Sequence, residues 1–359
     1  MEPRKLLLLW APLADYSVAC MKALAKKNVE LYIVFQGGES DAPYDQFDLS
    51  FCKKAIAYSK DKESELFDYC MKLAPDVIMM SSWNYRFYMS VSRECKKRGT
   101  YVVSTFDGQW TGTLKQRLGI LSSSVFLKPA IDNFFVPGDR QANFARKLGY
   151  NNPFLGYYSA NTERFKDVTI NQGERKFIFV GRLVPVKGIQ YLMSAYKKYR
   201  ASVDNPWGLI ICGKGALKHL CENQEGVEIH GFTQPSQLPE RLASAKCFIL
   251  PSLFEPWGLV VHEAALAGLP IISSYASGAS TFYVRDGQNG YVVNPDEESL
   301  LRAMKLVSAA SDEKLEQMSQ ISKALGSLWT TEKWADYVFQ YICNRNIYSQ
   351  PEKLELASA

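Results

Sequence analysis

No run of about 18 apolar residues occurs in this chain, so no segment is expected to cross a bilayer as a helix. Histidine is scarce: three residues, none before position 219. The eight cysteines, at 20, 52, 70, 95, 212, 221, 247 and 343, form no C-x-x-C pair and no zinc-ligand spacing. Buried, reduced thiols in a cytosolic protein are the plain expectation, with no metal and no cofactor. No internal repeat or low-complexity tract appears, and 23 Gly with 16 Pro exclude collagen-like sequence. No basic stripe interleaved with aromatics is present, and a pI of about 8.6 falls short of a nucleic-acid footprint. No Gly-x-Gly-x-x-Gly follows the first apolar run, where residues 11–16 read Ala-Pro-Leu-Ala-Asp-Tyr, so the dinucleotide fingerprint is missing.

The 359 residues, 47% hydrophobic and 22% charged, predict an ordered chain of two domains. The net charge of +5 sits in the first half, with 22 Lys and Arg against 17 Asp and Glu up to residue 165 and 20 against 20 beyond it. Clusters at Lys26-Lys27, Lys53-Lys54 and Lys96-Lys97-Arg98 suit either an anionic lipid or phosphorylated acceptor, or plain solvated helix faces. The start, Arg4-Lys5 before four leucines and Trp10, has a passing likeness to a lipoprotein signal. Asp15 and Tyr16 break it, and a first buried strand running into a helix explains it better.

Short apolar runs at residues 5–10, 29–35, 77–80, 101–104 and 133–136 alternate with helical periodicity at 18–27, 63–73 and 86–97. That pattern predicts a parallel sheet covered on both faces. It restarts with strands at 177–180, 209–212 and 247–250 and a helix at 188–199, giving an α/β chain of two doubly wound, Rossmann-like units. The expected division is 1–160, then 161–330, then a C-terminal helix and tail over 331–359 packing back on the first unit. The polar stretch 160–175, with Asn171, Gln172 and Gly173, is the expected linker, and Pro351 to Ala359 the expected frayed tail.

The chemistry concentrates in the second half. Gly181-Arg182-Leu183-Val184-Pro185-Val186-Lys187-Gly188 leaves a strand and opens a helix, with a planar guanidinium fork and a point charge suited to a diphosphate. An ordinary strand-to-helix loop is the competing reading of that segment alone. Further on, Glu255-Pro256-Trp257-Gly258-Leu259 leads to Glu263, two glutamates eight apart around a helix start whose amides suit an anion. Two glutamates on an exposed helix face would be the bland reading. Leu259, Val260, Val261, Ala264 and Ala265 make the segment too apolar for it.

With Gly213-Lys214-Gly215, Ile229-His230-Gly231-Phe232, Ala267-Gly268-Leu269-Pro270 and Asp286-Gly287-Gln288-Asn289-Gly290 in order, the second half resembles the retaining glycosyltransferases of the GT-B fold, family GT4. The resemblance implies that Arg182 and Lys187 neutralise the diphosphate of a nucleotide-sugar donor, and that Glu255 contacts the sugar. It further implies that Gly181, Trp257, Gly258 and Leu259 approach sugar and phosphate, that Glu263 binds the ribose, and that main chain at Phe232 meets the base. It also implies retention of configuration by front-face attack without a metal, in keeping with the lack of any Asp-x-Asp. His219, His230 and His262 are expected to be structural.

The first half fits the family less closely: it has no glycine-rich loop after the first strand and no histidine after the fourth. In that last place stand Phe106, Asp107, Gln109 and Trp110. Asp107, Gln109 and Trp110, with Asp15 and Tyr16, are the candidate acceptor or sugar wall, with a packed loop as the competing reading. Two readings of the segment stay open: Asp107 takes over a polar sugar contact, or Phe106 meets the methyl of a 6-deoxy sugar. The expected partners are a UDP- or GDP-sugar and a glycan or polyprenyl-pyrophosphate-linked acceptor, at a cytoplasmic site with peripheral contact to the inner membrane face. A silent nucleotide-sugar-binding scaffold is the alternative; a dinucleotide oxidoreductase fits less well.

Overall fold

A computed structural model describes residues 2–37, 47–168 and 174–344; Asn171, Gln172, Gly173 and the stretch from Pro351 to Ala359 lie outside the described residues. Seven parallel strands make the first sheet: β1 (Arg4–Trp10), β2 (Val29–Gln36), β3 (Lys54–Tyr58), β4 (Val77–Met80), β5 (Tyr101–Thr105), β6 (Asn133–Val136) and β7 (Phe154–Leu155), in the order 3-2-1-4-5-6-7. Helices α1 (Asp15–Leu24), α2 (Glu63–Leu73), α3 (Arg86–Lys97), α4 (Leu114–Phe126) and α5 (Asp139–Lys147) connect them.

The second sheet repeats the plan with β8 (Lys176–Val180), β9 (Gly208–Cys212), β10 (Val227–His230), β11 (Cys247–Leu250), β12 (Ile271–Ser274) and β13 (Gly290–Val293), in the order 10-9-8-11-12-13. Its helices are α6 (Ile189–Ser202), α7 (Leu238–Ala243), α8 (Leu259–Leu266), α9 (Ser280–Tyr283), α10 (Glu297–Ser308), α11 (Asp312–Gly326) and α12 (Thr331–Tyr337).

Parallel strands buried on both faces read as unbroken apolar runs, and Leu6 to Leu9 are fully buried for that reason. Leu7 and Leu9 point into one core with Ile78 and Met80, while Leu6 and Leu8 point into the opposite one with Val77 and Met79. The second core includes Trp334, Ala335 and Val338, so the chain returns to the first unit at its end. Trp334 Nε1 donates to the Tyr157 carbonyl at 2.8 Å.

Strand order reverses between β1 and β4 and again between β8 and β11. Such switch points open a crevice at the carboxyl ends of the strands, where ligands settle in doubly wound sheets. Of the lysine clusters, Lys27 pairs with Asp336, Lys53 with Glu30, Lys96 with Asp132 and Lys97 with Glu94. Each of the three clusters thus holds at least one lysine in an ion pair. Among the described residues no helix is long and apolar enough to cross a membrane.

Candidate active site

At the second switch point the chain leaves β8 at Gly181 and β11 at Leu250, and the two following loops lie side by side. The Leu253 amide donates to the Val186 carbonyl at 2.8 Å. Gly188 makes the approach feasible: its φ is +73°, and a Cβ there would stand 2.1 Å from the Pro251 oxygen. This packing brings Lys187 Nζ onto Glu255 Oε2 in an ion pair largely shielded from water. Ser252 Oγ donates to the same carboxylate oxygen at 3.4 Å. Arg182 stands exposed just past β8, and Phe232 half-buried on the loop after β10.

Gly258, at φ +89°, caps α8; a Cβ there would meet Ser277 Oγ at 2.8 Å and Glu255 Cγ at 2.9 Å. The first-turn amides of α8 carry the positive end of its dipole, that of Val261 donating to the Gly258 carbonyl at 2.9 Å. Trp257 is buried, and its indole N–H has no hydrogen-bond partner. Glu263, one turn on, is half-buried. Burial pushes its carboxyl up to about 8, and the negative charge of Asp15 across the cleft adds to the shift.

The first unit supplies the opposite wall. Asp15, at the start of α1, is held by the Arg164 guanidinium at 2.6–3.1 Å and by Asn161 Nδ2 at 3.0 Å. Tyr158 OH donates to Asp107 Oδ2 at 3.1 Å, and its ring lies at 6.4 Å from Trp257 and edge-on to Tyr16. Burial raises the Asp107 carboxyl above its ordinary value, against the lowering effect of the Tyr158 hydrogen bond. Gln109 Nε2 donates to the Glu255 and Pro256 carbonyls at 3.4 and 3.3 Å.

Tyr158, Gln141 and Arg140 escaped the sequence reading. Gln141 Nε2 bridges the Asp107 and Pro256 carbonyls at 3.0 and 2.7 Å, and Arg140 donates to those of Tyr275 and Ala276 at 2.5 and 3.2 Å. Their signal is positional: a Gly-Asp-Arg-Gln start just beyond the apolar run of β6, and a tyrosine pair ahead of the polar stretch.

Other candidates lie elsewhere. Trp110 packs on Phe144 with Lys147 over its face at 5.2 Å, on the flank of the first core. Phe106 is buried among Trp83, Phe134 and Phe144, at 5.0 to 5.7 Å, as part of the first unit's aromatic core. His262 is fully buried, accepts from the Ala160 amide at 3.1 Å and meets the Gly326 carbonyl at 2.9 Å, a structural clamp. His219 and His230 lie in local contacts with Ala216 and Arg241.

The model of the family described as "Glycosyl transferases group 1" matches residues 160–324, the segment that carries the Lys187–Glu255 pair and α8. Over those residues the chain is similar to glycosyl transferases group 1. An uncharacterised glycosyltransferase of Methanocaldococcus jannaschii is 32% identical over 141 residues, 36% of this chain and 35% of that protein. O-antigen chain mannosyltransferase B of Escherichia coli is 27% identical over 143 residues, 38% of this chain and 37% of that protein. The matches thus span little more than a third of these relatives. Anabaena HepE, solved in complex with UDP and glucose, superposes with a TM-score of 0.71 at 15% identity, over 95% of this chain and all of that one. The fold is therefore GT-B, two Rossmann-like units, with the segment that matches the family model forming the second wall of the cleft.

Proposed function

We propose that the protein transfers a hexosyl or deoxyhexosyl residue from a UDP- or GDP-sugar to a glycan or polyprenyl-pyrophosphate-linked acceptor, with retention of configuration. The observation that carries the reading is the shielded Lys187–Glu255 pair at the mouth of the second switch point, facing the Asp107–Tyr158–Trp257 contact across the cleft. UDP and glucose in the HepE complex, and the O-antigen role in the name of the E. coli relative, support the donor class and a place in bacterial surface polysaccharide, lipopolysaccharide or glycoprotein glycan assembly at the cytoplasmic face.

The chemistry follows from charge. Glu255 neutralises Lys187. A donor diphosphate competes for that ammonium, aided by Arg182 and the α8 amides, and its arrival frees the Glu255 carboxylate to accept from sugar hydroxyls. The buried indole N–H of Trp257 is a further donor awaiting an oxygen.

As the anomeric C–O bond to the phosphate breaks, negative charge grows on the diphosphate, where the two cations stabilise it most. The acceptor hydroxyl attacks on the same face, and its proton passes to the departing phosphate oxygen. Glu263 holds the ribose.

The test is melting with saturating UDP, GDP, ADP and CMP in turn, followed by transfer assays with donors of whichever nucleotide stabilises. One nucleoside diphosphate is expected to raise the melting temperature by a few degrees, since a ligand at ~100 times its dissociation constant adds about 2.7 kcal/mol. Binding without transfer to any acceptor would leave the scaffold reading; no shift with any nucleotide would overturn the donor site.

A further inference from the structure

We propose that the outward face of α4 docks the protein on an anionic lipid bilayer. An ordinary surface helix turns its apolar stripe inward. Here Leu114, Leu118, Leu121 and Val125, at positions i, i+4, i+7 and i+11, form one stripe and are 57–79% exposed. The side facing the protein carries Gln116, Ile120 and Ser123, and Ser123 alone of the thirteen residues is buried. Phe126 extends the apolar surface at the helix end, 61% exposed. The helix is thus inverted, and an apolar patch of this extent on a soluble surface marks an interaction site.

Charge names the partner. Lys115 and Arg117 flank the stripe on its two sides, Lys128 follows the helix, and residues 108–131 contain no Asp or Glu at all. A helix about 20 Å long with apolar residues outward and cations along its edges fits a bilayer lying parallel to its axis, leucines in the acyl boundary and cations at anionic headgroups. A second copy of this chain fits badly, since it would set the same cations against each other with no carboxylate between them.

The helix is also wired to the cleft. Gln116 Nε2 donates to the Gln109 carbonyl at 2.7 Å, and Gln109 Nε2 to the Pro256 carbonyl at 3.3 Å. Docking through α4 therefore holds the cleft mouth near the membrane, which is where a polyprenyl-linked acceptor lies. That last link rests on the proposed transfer reaction; the docking itself does not.

The test is sedimentation of the full chain with vesicles of phosphatidylcholine alone and of phosphatidylcholine mixed with phosphatidylglycerol, at low and high salt, with light scattering in the absence of lipid. A monomer that binds the mixed vesicles at low salt and not the neutral ones is expected. Leu118→Ser with Leu121→Ser should cut the vesicle-bound fraction about tenfold or more, and Leu121→Gln alone less so, because the stripe supplies the inserted area. Lys115→Ala with Arg117→Ala should remove most of the salt sensitivity.

All these side chains are exposed, so melting temperature and its nucleotide shift should match the wild type. No wild-type binding to mixed vesicles, undiminished binding by the leucine variants, or a dimer that those variants dissolve would overturn the proposal. Vesicle binding together with no sugar transfer would overturn the transfer reading alone.

Discussion

Lys187 has two partners in prospect, and the energetics of exchange decide what its removal does. Glu255 holds it in an ion pair; in the transfer reaction proposed above, the donor diphosphate takes that place. Lys187→Ala should therefore weaken binding of the nucleoside diphosphate more than that of the monophosphate, and lower transfer by roughly 10²–10³-fold, the usual scale for losing one preorganised charge stabiliser. Calorimetric titration of the two nucleotides checks it, and equal losses for both would remove Lys187 from the phosphate site.

Glu263 and His262 are neighbours whose burial moves them in opposite directions. The Glu263 carboxyl, at about 8 in the folded protein against 4.5 when unfolded, keeps its proton when the unfolded chain has lost its own. Between those values the folded state binds more protons, so this contribution to stability is lost as pH rises through about 8. Glu263→Gln should flatten that decline in urea titrations from pH 5 to 9.

His262, pushed down to about 4 by burial, stays neutral where the unfolded ring charges at 6.5. Its Nδ1 accepts from the Ala160 amide, so a second ring proton would break that bond. Here the unfolded state binds more protons, and stability falls as pH drops from about 6.5 towards 4, by roughly 3 kcal/mol from a shift of this size. In His262→Asn that acid-side slope should vanish, while stability at pH 7 drops through the lost clamp.

At the scale of elements, the loops of the second switch point depend on backbone freedom. Gly188→Ala combines a positive φ with a Cβ 2.1 Å from the Pro251 oxygen, so the 181–188 and 251–255 loops must separate. A loss of about 2–3 kcal/mol in stability is expected, with weaker nucleoside diphosphate binding than a surface Gly→Ala at position 287 gives, where no neighbour lies within 4 Å.

Such elements were legible to different degrees, for physical reasons. Strands buried on both faces announce themselves, as β1, β4 and β11 do, because nothing polar can stand in them. The edge strand β3 was hidden, since its Lys54 and Ala55 lie exposed and its sequence reads as a basic cluster. Helix α1 starts at Asp15 rather than Val18, because Ser17 bonds back to the Ala14 amide from inside the first turn. Helix α4 went unread, its apolar stripe serving no core. In the second unit the loop glycines and the glutamate pair act within one short loop pair, so their order on the chain nearly gives their place in space. Contacts such as Tyr158 to Asp107, 51 residues apart, have no such local record.

Across the whole molecule, the two walls of the cleft meet through side chains of the first unit and main-chain carbonyls of the second. Gln109 and Gln141 reach the carbonyls of Glu255 and Pro256, and Arg140 those of Tyr275 and Ala276. Because these donors grip the very segment that carries Glu255, loss of the grip should also disturb the placing of that carboxylate. Gln141 matters most to this grip: fully shielded from water, it ties the Asp107 carbonyl and the Pro256 carbonyl through one amide nitrogen.

Gln141→Leu keeps the volume and removes the bridge, taking the Gln141 donor from the Asp107 carbonyl and leaving the Pro256 carbonyl to Gln109, at a cost of about 1–3 kcal/mol to the closed arrangement. The residues proposed above to bind the nucleotide all lie in the second unit, so nucleotide-induced melting shifts should persist. Transfer should fall about tenfold, and small-angle scattering should show a larger radius of gyration as the open form gains population. A variant that transfers normally and scatters like the wild type would mean that closure rests on the remaining contacts, Arg140 and the Asp15–Arg164 pair foremost.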